Sequence, residues 1–320
     1  MAALGSDEAR RDMHHSEVER SLRGLLQALE RAYDFVTPLN STIATVRARR
    51  ETARAGSLRD VLGWSLPFLP GALDDEIEGL LAAAGALREC ELGFKATVRV
   101  SRVQGRLFLH SAYPTDDQDA VFLGPDSYRF AEFLRVELGG RPIGSLCDVG
   151  AGAGVGGVIA ARLTGAERVL LCDVNAKALH LAKVNAAHAS CRAELVETPG
   201  LTGVEGGLDL IVANPPFVAD SGRAYSDGGG SYGAVLSLQW ATEAMGKLNV
   251  GGRLLLYTGS AIVDGRDLFR AALQAEAASR GCGLTYRELD PDIFGGLLWR
   301  SAYQEVERIA AVGAVVTRRN

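Results

Sequence analysis

Ser145-Leu-Cys-Asp148-Val-Gly150-Ala-Gly152-Ala-Gly154 is the stretch on which the fold turns. A short apolar run closes on an acidic residue, breaks into alternating glycines, and resumes as the apolar segment from Val155 to Leu163. Glycines between a strand and a helix let the backbone bend sharply. The N–H groups of the helix start are then free to meet an anionic or carboxylate-bearing ligand. In a shifted frame Gly152, Gly154 and Gly157 satisfy G-x-G-x-x-G, so a nicotinamide dinucleotide stays in consideration. About 20 residues on, Asp173 ends the next apolar run, where a carboxylate can accept both hydroxyls of a ribose.

Outward from this loop, short apolar runs alternate with amphipathic helical ones. Strands are expected at Leu146–Val149, Arg168–Cys172, Ala193–Val196, Leu208–Ala213, Arg253–Thr258, Leu284–Glu288 and Ile309–Thr317. Strands separated by helices predict an α/β fold, a Rossmann-like, doubly wound, seven-stranded sheet that is mainly parallel. A helix is expected to start on an Asp264 cap and stop before Gly281, with Gly251-Gly252 turning into the fifth strand.

Upstream the pattern changes. Ser16-Glu-Val-Glu19 has the form of a capping box, followed by Val18, Leu22, Leu25, Leu26 and Leu29 at helical spacing. From Thr37 to Leu87 the reading stays mostly helical, punctuated by Pro38, Pro67, Pro70 and Gly71. Ala96–Val100 and Arg106–His110 then alternate at a period of two and predict a hairpin around Gly105. Residues 1–118 are therefore expected to form a mainly helical N-terminal domain with a β-hairpin, serving substrate recognition or acting as a lid. Residues 119–320 form the second domain.

Composition narrows the classes. The 320 residues hold 34 Lys+Arg against 39 Asp+Glu, a net charge of −5, with 47% hydrophobic and 23% charged residues. Such a chain is globular rather than disordered. Its apolar runs fall short of the roughly 18 residues that span a bilayer, so no membrane partner is expected. The mild acidity disfavours a diffuse grip on phosphate backbones. Cys90, Cys147, Cys172, Cys191 and Cys282 are scattered without Cys-x-x-Cys or His/Cys spacing, which predicts reduced thiols and no metal. The polar Met1 to Glu19 segment lacks the form of a secretory signal, so a cytoplasmic setting is expected.

The fourth strand ends in Asp209-Leu-Ile-Val-Ala-Asn214-Pro215-Pro216-Phe217. With the glycine loop and Asp173 in register, this stretch resembles the class I S-adenosylmethionine (SAM)-dependent methyltransferases, in particular the small-domain group carrying Asn-Pro-Pro-Phe/Tyr. The resemblance covers about Val121 to Arg319. It implies a last strand antiparallel to the rest and SAM as cofactor, held by Asp148, Gly150, Gly152, Gly154 and Asp173, with Glu197 and Thr198 near the adenine. It also implies Asn214, Pro215 and Phe217 as the catalytic set. The chemistry supports that set, because the lone pair of a planar nitrogen is delocalised and such a nitrogen must be held in line with the methyl carbon. The Asn214 oxygen and the Pro215 carbonyl can each accept one N–H, and Phe217 offers an apolar face.

Asn-Pro-Pro-Tyr is typical of release-factor glutamine methyltransferases, and Asn-Pro-Pro-Phe is common among rRNA guanine-N2 methyltransferases. The acceptor is expected to be a protein glutamine amide, a narrow preference. One alternative is a guanine-N2 or adenine-N6 amine of RNA. Another is a small molecule, including intramolecular cyclisation of SAM itself to azetidine-2-carboxylate. Gly124-Pro-Asp-Ser-Tyr128-Arg129 occupies the segment that runs over the cofactor in this group, which makes Tyr128 and Arg129 candidate substrate contacts. Asp227-Gly-Gly-Gly-Ser-Tyr232-Gly233 reads as a lid or a plain loop, with Tyr232 as its candidate contact. Arg47, Arg49, Arg50 and Arg54 read as a solvated helix face, Trp64, Trp240 and Trp299 as core or interface, and His180 and His188 as structural.

Overall fold

The computed structural model describes residues 2–50, 53–219 and 227–319. The N-terminal half contains α1 (Ala2–Leu29), α2 (Asn40–Ala48), α3 (Leu58–Leu62) and α4 (Asp75–Ala83). Two hairpins follow, β1 (Leu87–Cys90) with β2 (Gly93–Ala96), and β3 (Val98–Val103) with β4 (Arg106–Ser111). Next come α5 (Pro125–Leu138), β5 (Ser145–Val149), α6 (Val155–Thr164), β6 (Arg168–Asp173), α7 (Ala176–His188), β7 (Glu194–Glu197) and β8 (Leu208–Ala213). The single turn α8 (Gly230–Gly233) leads into α9 (Val235–Lys247), β9 (Leu248–Val263), β10 (Arg266–Asp267), α10 (Leu268–Ser279), β11 (Cys282–Asp290) and β12 (Arg308–Arg318).

All the strands expected after Ser145 lie in one sheet, in the order β7-β6-β5-β8-β9-β12-β11, with β10 pairing on β9. The pairs from β7 to β9 are parallel, while β12 runs antiparallel to both β9 and β11. This is the doubly wound α/β fold that the sequence predicts. The order reverses between β5 and β8, and the crevice above the carboxyl ends of such strands is where open α/β sheets hold ligands.

Successive residues of each strand feed opposite layers. Leu146, Leu171 and Val212 face the side covered by α5, α6 and α7, whereas Cys147, Cys172 and Ile211 pack with Ala241 and Met245 of α9 and Leu273 of α10. The N-terminal half joins the first of these layers. Leu22, Leu25, Leu26 and Leu29 of α1 are buried in the same cluster as the sheet.

Three local expectations are corrected. Ser16 lies inside α1, because the upstream residues include Ala, Arg and Glu, good helix formers that give the helix no reason to begin there. Leu87, where the mostly helical stretch was expected to end, instead opens the β1–β2 hairpin through a segment that had no assignment, and Gly93 at φ 118° sits at the turn, so close to the Phe68 backbone that a side chain would not fit. The cap of α10 is Asp267, whose carboxylate accepts the Arg270 N–H at 2.8 Å, while Asp264 occupies the preceding turn at φ 49°. The second hairpin is as expected. Val103 pairs with Arg106 across Gln104 and Gly105, both at positive φ, the two-residue geometry that suits the twist of antiparallel strands.

Candidate active site

The glycine loop is pinned to the neighbouring strand. Gly150 N–H and Ala151 N–H both donate to the Cys172 carbonyl at 2.9 Å. Gly150, Gly152 and Gly154 adopt φ 68°, 53° and 79°, the left-handed region that other residues enter at a cost. At Gly150 a second constraint applies, since a Cβ would lie 2.5 Å from the Trp240 ring.

Two carboxyl groups organise the loop from below. Asp173 accepts from Gly152 N–H at 2.8 Å and from Asn175 N–H at 2.9 Å. Burial raises its pKa, against the opposing pull of those N–H groups. Asp148 accepts from Gly157 N–H at 2.6 Å. Burial raises it further, to about 7, opposed by the Gly157 bond and reinforced by the charge of Asp173. Asn175 caps α7, accepting from Lys177 and Ala178 N–H.

Asn214, Pro215, Pro216 and Phe217 follow β8 and line the same cavity as Asp148, Gly150, Gly152 and Asp173, a space of about 990 Å³. The Asn214 side-chain oxygen is buried and has no hydrogen-bond partner. A buried acceptor left unpaired costs about 1–3 kcal/mol unless a ligand supplies the donor. Phe217 is held by Tyr257 and Phe294, at ring-centre distances of 6.3 and 5.9 Å, and its ring occupies the space beside Gly259 where a Cβ would clash.

Other expected contacts lie elsewhere. Of the expected adenine-side pair, Glu197 is exposed and outside the cavity, whereas Thr198 lines it together with Pro199 and Gly200. Gly154 acts one step back, as the N-cap of α6. The Tyr128 hydroxyl turns to the N-terminal half and accepts the Thr37 N–H at 2.8 Å. Arg129 pairs with Asp126 at 3.5 Å and Asp290 at 3.0 Å. Tyr232 donates to Glu305 at 3.0 Å, facing outward. In α5 it is Asp126, Ser127 and Phe130 that reach the cavity, because residues one or two positions apart on a helix face different ways and those three or four apart share a face. Asp126 is buried and bonded to the Tyr257 hydroxyl at 2.7 Å; burial raises its pKa, against the opposing effect of that bond.

Sequence reasoning missed two further walls. Leu39, Asn40 and Ser41 contribute one, and Phe294, Gly295, Gly296, Leu297 and Arg300, in the turns between β11 and β12, contribute the other. The glycine pair at 295–296 was the one available signal. Trp240 lines the cavity and Trp299 is 93% exposed, so neither is simple core. Among the described residues lining the cavity, Arg300 is the one cation, against Asp126, Asp148 and Asp173.

Residues 129–260 match the Methyltransferase small domain family. Ribosomal RNA small subunit methyltransferase C of Haemophilus influenzae is 31% identical over 140 residues, which is 44% of this chain and 40% of that one. The protein of the same name from Ectopseudomonas mendocina is 34% identical over 132 residues, 41% of this chain and 37% of the relative. The chain thus spans less than half the length of the curated relatives it matches. Among solved structures, Trm5b from Pyrococcus abyssi shares the fold at a TM-score of 0.50 and 15% identity, over 76% of this chain and 68% of that one.

Proposed function

We propose, from the premise that this chain carries a class I methyltransferase domain of the small-domain family, that it is a SAM-dependent N-methyltransferase acting on a planar amide or amine nitrogen. The observation that carries this reading is the buried, unpartnered Asn214 oxygen in the cavity beside the glycine loop. It is an acceptor waiting for one N–H, and the Pro215 carbonyl is assigned the second. Two fixed acceptors turn the nitrogen lone pair away from themselves, and Phe217 presses the planar group into one plane.

The residues fit the cofactor. A nucleoside carrying sulfonium and ammonium charges suits a cavity with three carboxyl groups and one cation among its described lining residues. Asp173, at the tip of β6, is assigned the ribose, and the loop Gly150, Gly152 and Gly154 with Asp148 beneath it the methionine part. When bound, SAM supplies an electrophilic methyl group on sulfur. Enclosing the nitrogen away from water is the work of Trp240, Phe217 and the turn at Phe294.

A second reading, an exocyclic amine of RNA, draws on the relatives named for ribosomal RNA. The acidic cavity lining weighs against it, since a phosphate-rich partner is gripped by basic side chains. Protein glutamine, which the acidic balance of the chain favours narrowly against the lean of Phe217 toward RNA, remains within the proposed class, as does the cytoplasmic setting. No helix among the described residues is long and apolar enough to cross a membrane. The test is incubation of the purified protein with labelled SAM, alone and with cell extract. S-adenosylhomocysteine with label on a nitrogen is the expected result. Methylthioadenosine formed from SAM alone would replace transfer by intramolecular cyclisation, and absence of both products would overturn the reading.

A further inference from the structure

Among the described residues, two side chains that line the cavity bury a polar atom without a hydrogen-bond partner. One is Asn214. The other is Asn40, the first residue of α2, and again it is the side-chain oxygen that is left over. The remaining buried atoms without partners, Nη1 and Nη2 of Arg99 and Nδ1 of His110, belong to side chains with no exposed surface that do not line the cavity. Only the two asparagines can be met by a ligand there.

Asn40 is held from every side. Its Nδ2 donates to the Thr115 hydroxyl at 2.9 Å, which engages one end of the amide and leaves the oxygen as the other. Three residues upstream, the Thr37 N–H donates to the Tyr128 hydroxyl at 2.8 Å, and the Thr37 hydroxyl meets that of Ser101 at 2.5 Å. Ser101 in turn meets His110 Nε2 at 2.8 Å. Further along α2, Ile43 is buried, and the Arg47 guanidinium donates to the Trp64 and Ser65 carbonyls while sitting 5.6 Å from the Tyr113 ring centre. Arg47 is thus turned inward, not solvated as the basic run suggested. A side chain fixed in this way cannot swing round to find a donor within the protein, so the donor has to enter with a ligand.

The wall that carries Asn40 is stitched to the cofactor end of the cavity. Between Thr115 and the cavity-lining Val121, Asp119 accepts from Asn175 Nδ2 at 2.9 Å through its carbonyl and from Lys177 at 3.1 Å through its carboxylate. The Asn175 N–H is bound to the carboxylate of Asp173, the residue assigned to the ribose. The opposite wall differs. Phe294 there packs on Phe217, next to the Asn214 turn assigned to the methyl acceptor. Hydrogens on the cofactor side of SAM are those of its ribose hydroxyls and its ammonium group, and a neutral amide oxygen accepts from either.

We propose that Asn40 is a cofactor contact supplied by the N-terminal half: its side-chain oxygen accepts an O–H or N–H of bound SAM and so ties residues 37–41 to the strand tips. This rests on the methyltransferase reading. It makes the N-terminal half part of the cofactor site, beyond any part in recognising the acceptor.

The full chain is titrated calorimetrically with SAM, S-adenosylhomocysteine and methylthioadenosine, and hydrogen exchange of residues 37–48 is followed with and without SAM. Asn40→Ala is expected to weaken SAM about fivefold or more, the worth of one hydrogen bond to a well-held acceptor, and to remove the exchange protection that SAM gives these residues in wild type. Asn40→Asp keeps an oxygen in place and is expected to bind SAM within about threefold of wild type, which separates a lost contact from a damaged fold. The ligands name the donor. A loss shared by methylthioadenosine assigns a ribose hydroxyl, and a loss confined to SAM and S-adenosylhomocysteine assigns the ammonium group; either supports the contact. Unchanged SAM affinity in Asn40→Ala, an equal loss in Asn40→Asp, or a fall in turnover at unchanged SAM affinity overturns it, the last by making Asn40 an acceptor contact. Should Asn40→Ala not fold, wild type decides, since SAM that adds no protection at residues 37–48 also overturns the contact. Wild type that binds none of the three ligands would sink the methyltransferase reading, whereas binding indifferent to Asn40 removes this contact alone.

Discussion

The strand tips of β5, β6 and β8 and the hairpin β3–β4 both bury ionisable side chains, but with opposite sign and opposite bookkeeping. At the strand tips the buried groups are acids, and backbone N–H groups answer them: Gly157 for Asp148, Gly152 and Asn175 for Asp173. In the hairpin region the buried groups are cations, answered by single carbonyls that leave Arg99 short of two partners. A helix start offers several free N–H groups to an anion, whereas a strand offers a buried cation few free carbonyls, because the ladder has used them. The acids of the first region have donors without a ligand, although the Asn214 oxygen beside them has none; in the second region it is the charged group that is left short. The two are joined by Asn185 of α7, which bonds the Leu109 N–H and carbonyl and also the Ala153 carbonyl of the glycine loop.

The largest effect expected in the sheet half is on turnover. Asn214→Ala removes the orienting acceptor and should lower methyl transfer by about a hundredfold or more, with SAM affinity within about twofold of wild type. Equal losses in both, measured by single-turnover transfer and calorimetry, would move Asn214 into cofactor binding and blur the contrast. Next comes the joint. Asn185→Ala strands three buried backbone groups and should cost about 3 kcal/mol. If the halves share one core, denaturant melting followed in each half gives one coincident transition; two separated transitions would support the expected independent domain ending near residue 118. Third, Asp173→Ala should weaken SAM about tenfold to a hundredfold, the worth of hydrogen bonds to a charge, with a lower melting temperature because the Gly152 and Asn175 N–H groups lose their acceptor. Unchanged affinity would remove Asp173 from the ribose position.

The smallest effect is a pH dependence. An unfolded aspartate releases its proton near pH 4, but buried Asp148 holds its own until about 7. Between these values the folded state binds more protons than the unfolded one, so the contribution of Asp148 to stability falls as pH rises from about 4 to about 7. Above that it is level. Melting curves of wild type and Asp148→Asn should therefore converge toward low pH and diverge toward neutrality, with the variant the more stable at pH 7. Parallel curves would show that the acid layer is as well satisfied charged as neutral.

How much of this was legible beforehand follows from which residues act locally. Apart from β9, which runs Leu248–Val263 and takes up the expected Gly251-Gly252 turn as an irregularity within the strand, the strand spans after Ser145 came close to their structural limits, because period-two patterning, glycine turns and Asx caps depend on neighbours in sequence. The loop Gly150 to Gly154 and the Asn214 turn were readable for the same reason. Tyr128 and Arg129 were not, since one or two positions along α5 decide whether a side chain meets the cavity or the N-terminal half, and Asp126 took the place. The turns from Phe294 to Arg300 carry no periodic signal. Their approach to Phe217 depends on β12 inserting between β9 and β11.

The sequence by itself determined the sheet, its succession of strands and helices along the chain, and the positions of Asp173 and the Asn214 turn, since each is written in short-range spacing. Only the tertiary structure decided what closes the cavity and which charges remain unanswered inside. Arg99 is one charged residue in an alternating strand until Tyr33, Ser111, Tyr113 and Tyr128 are brought around it, and desolvation is a property of that surrounding, not of the residue.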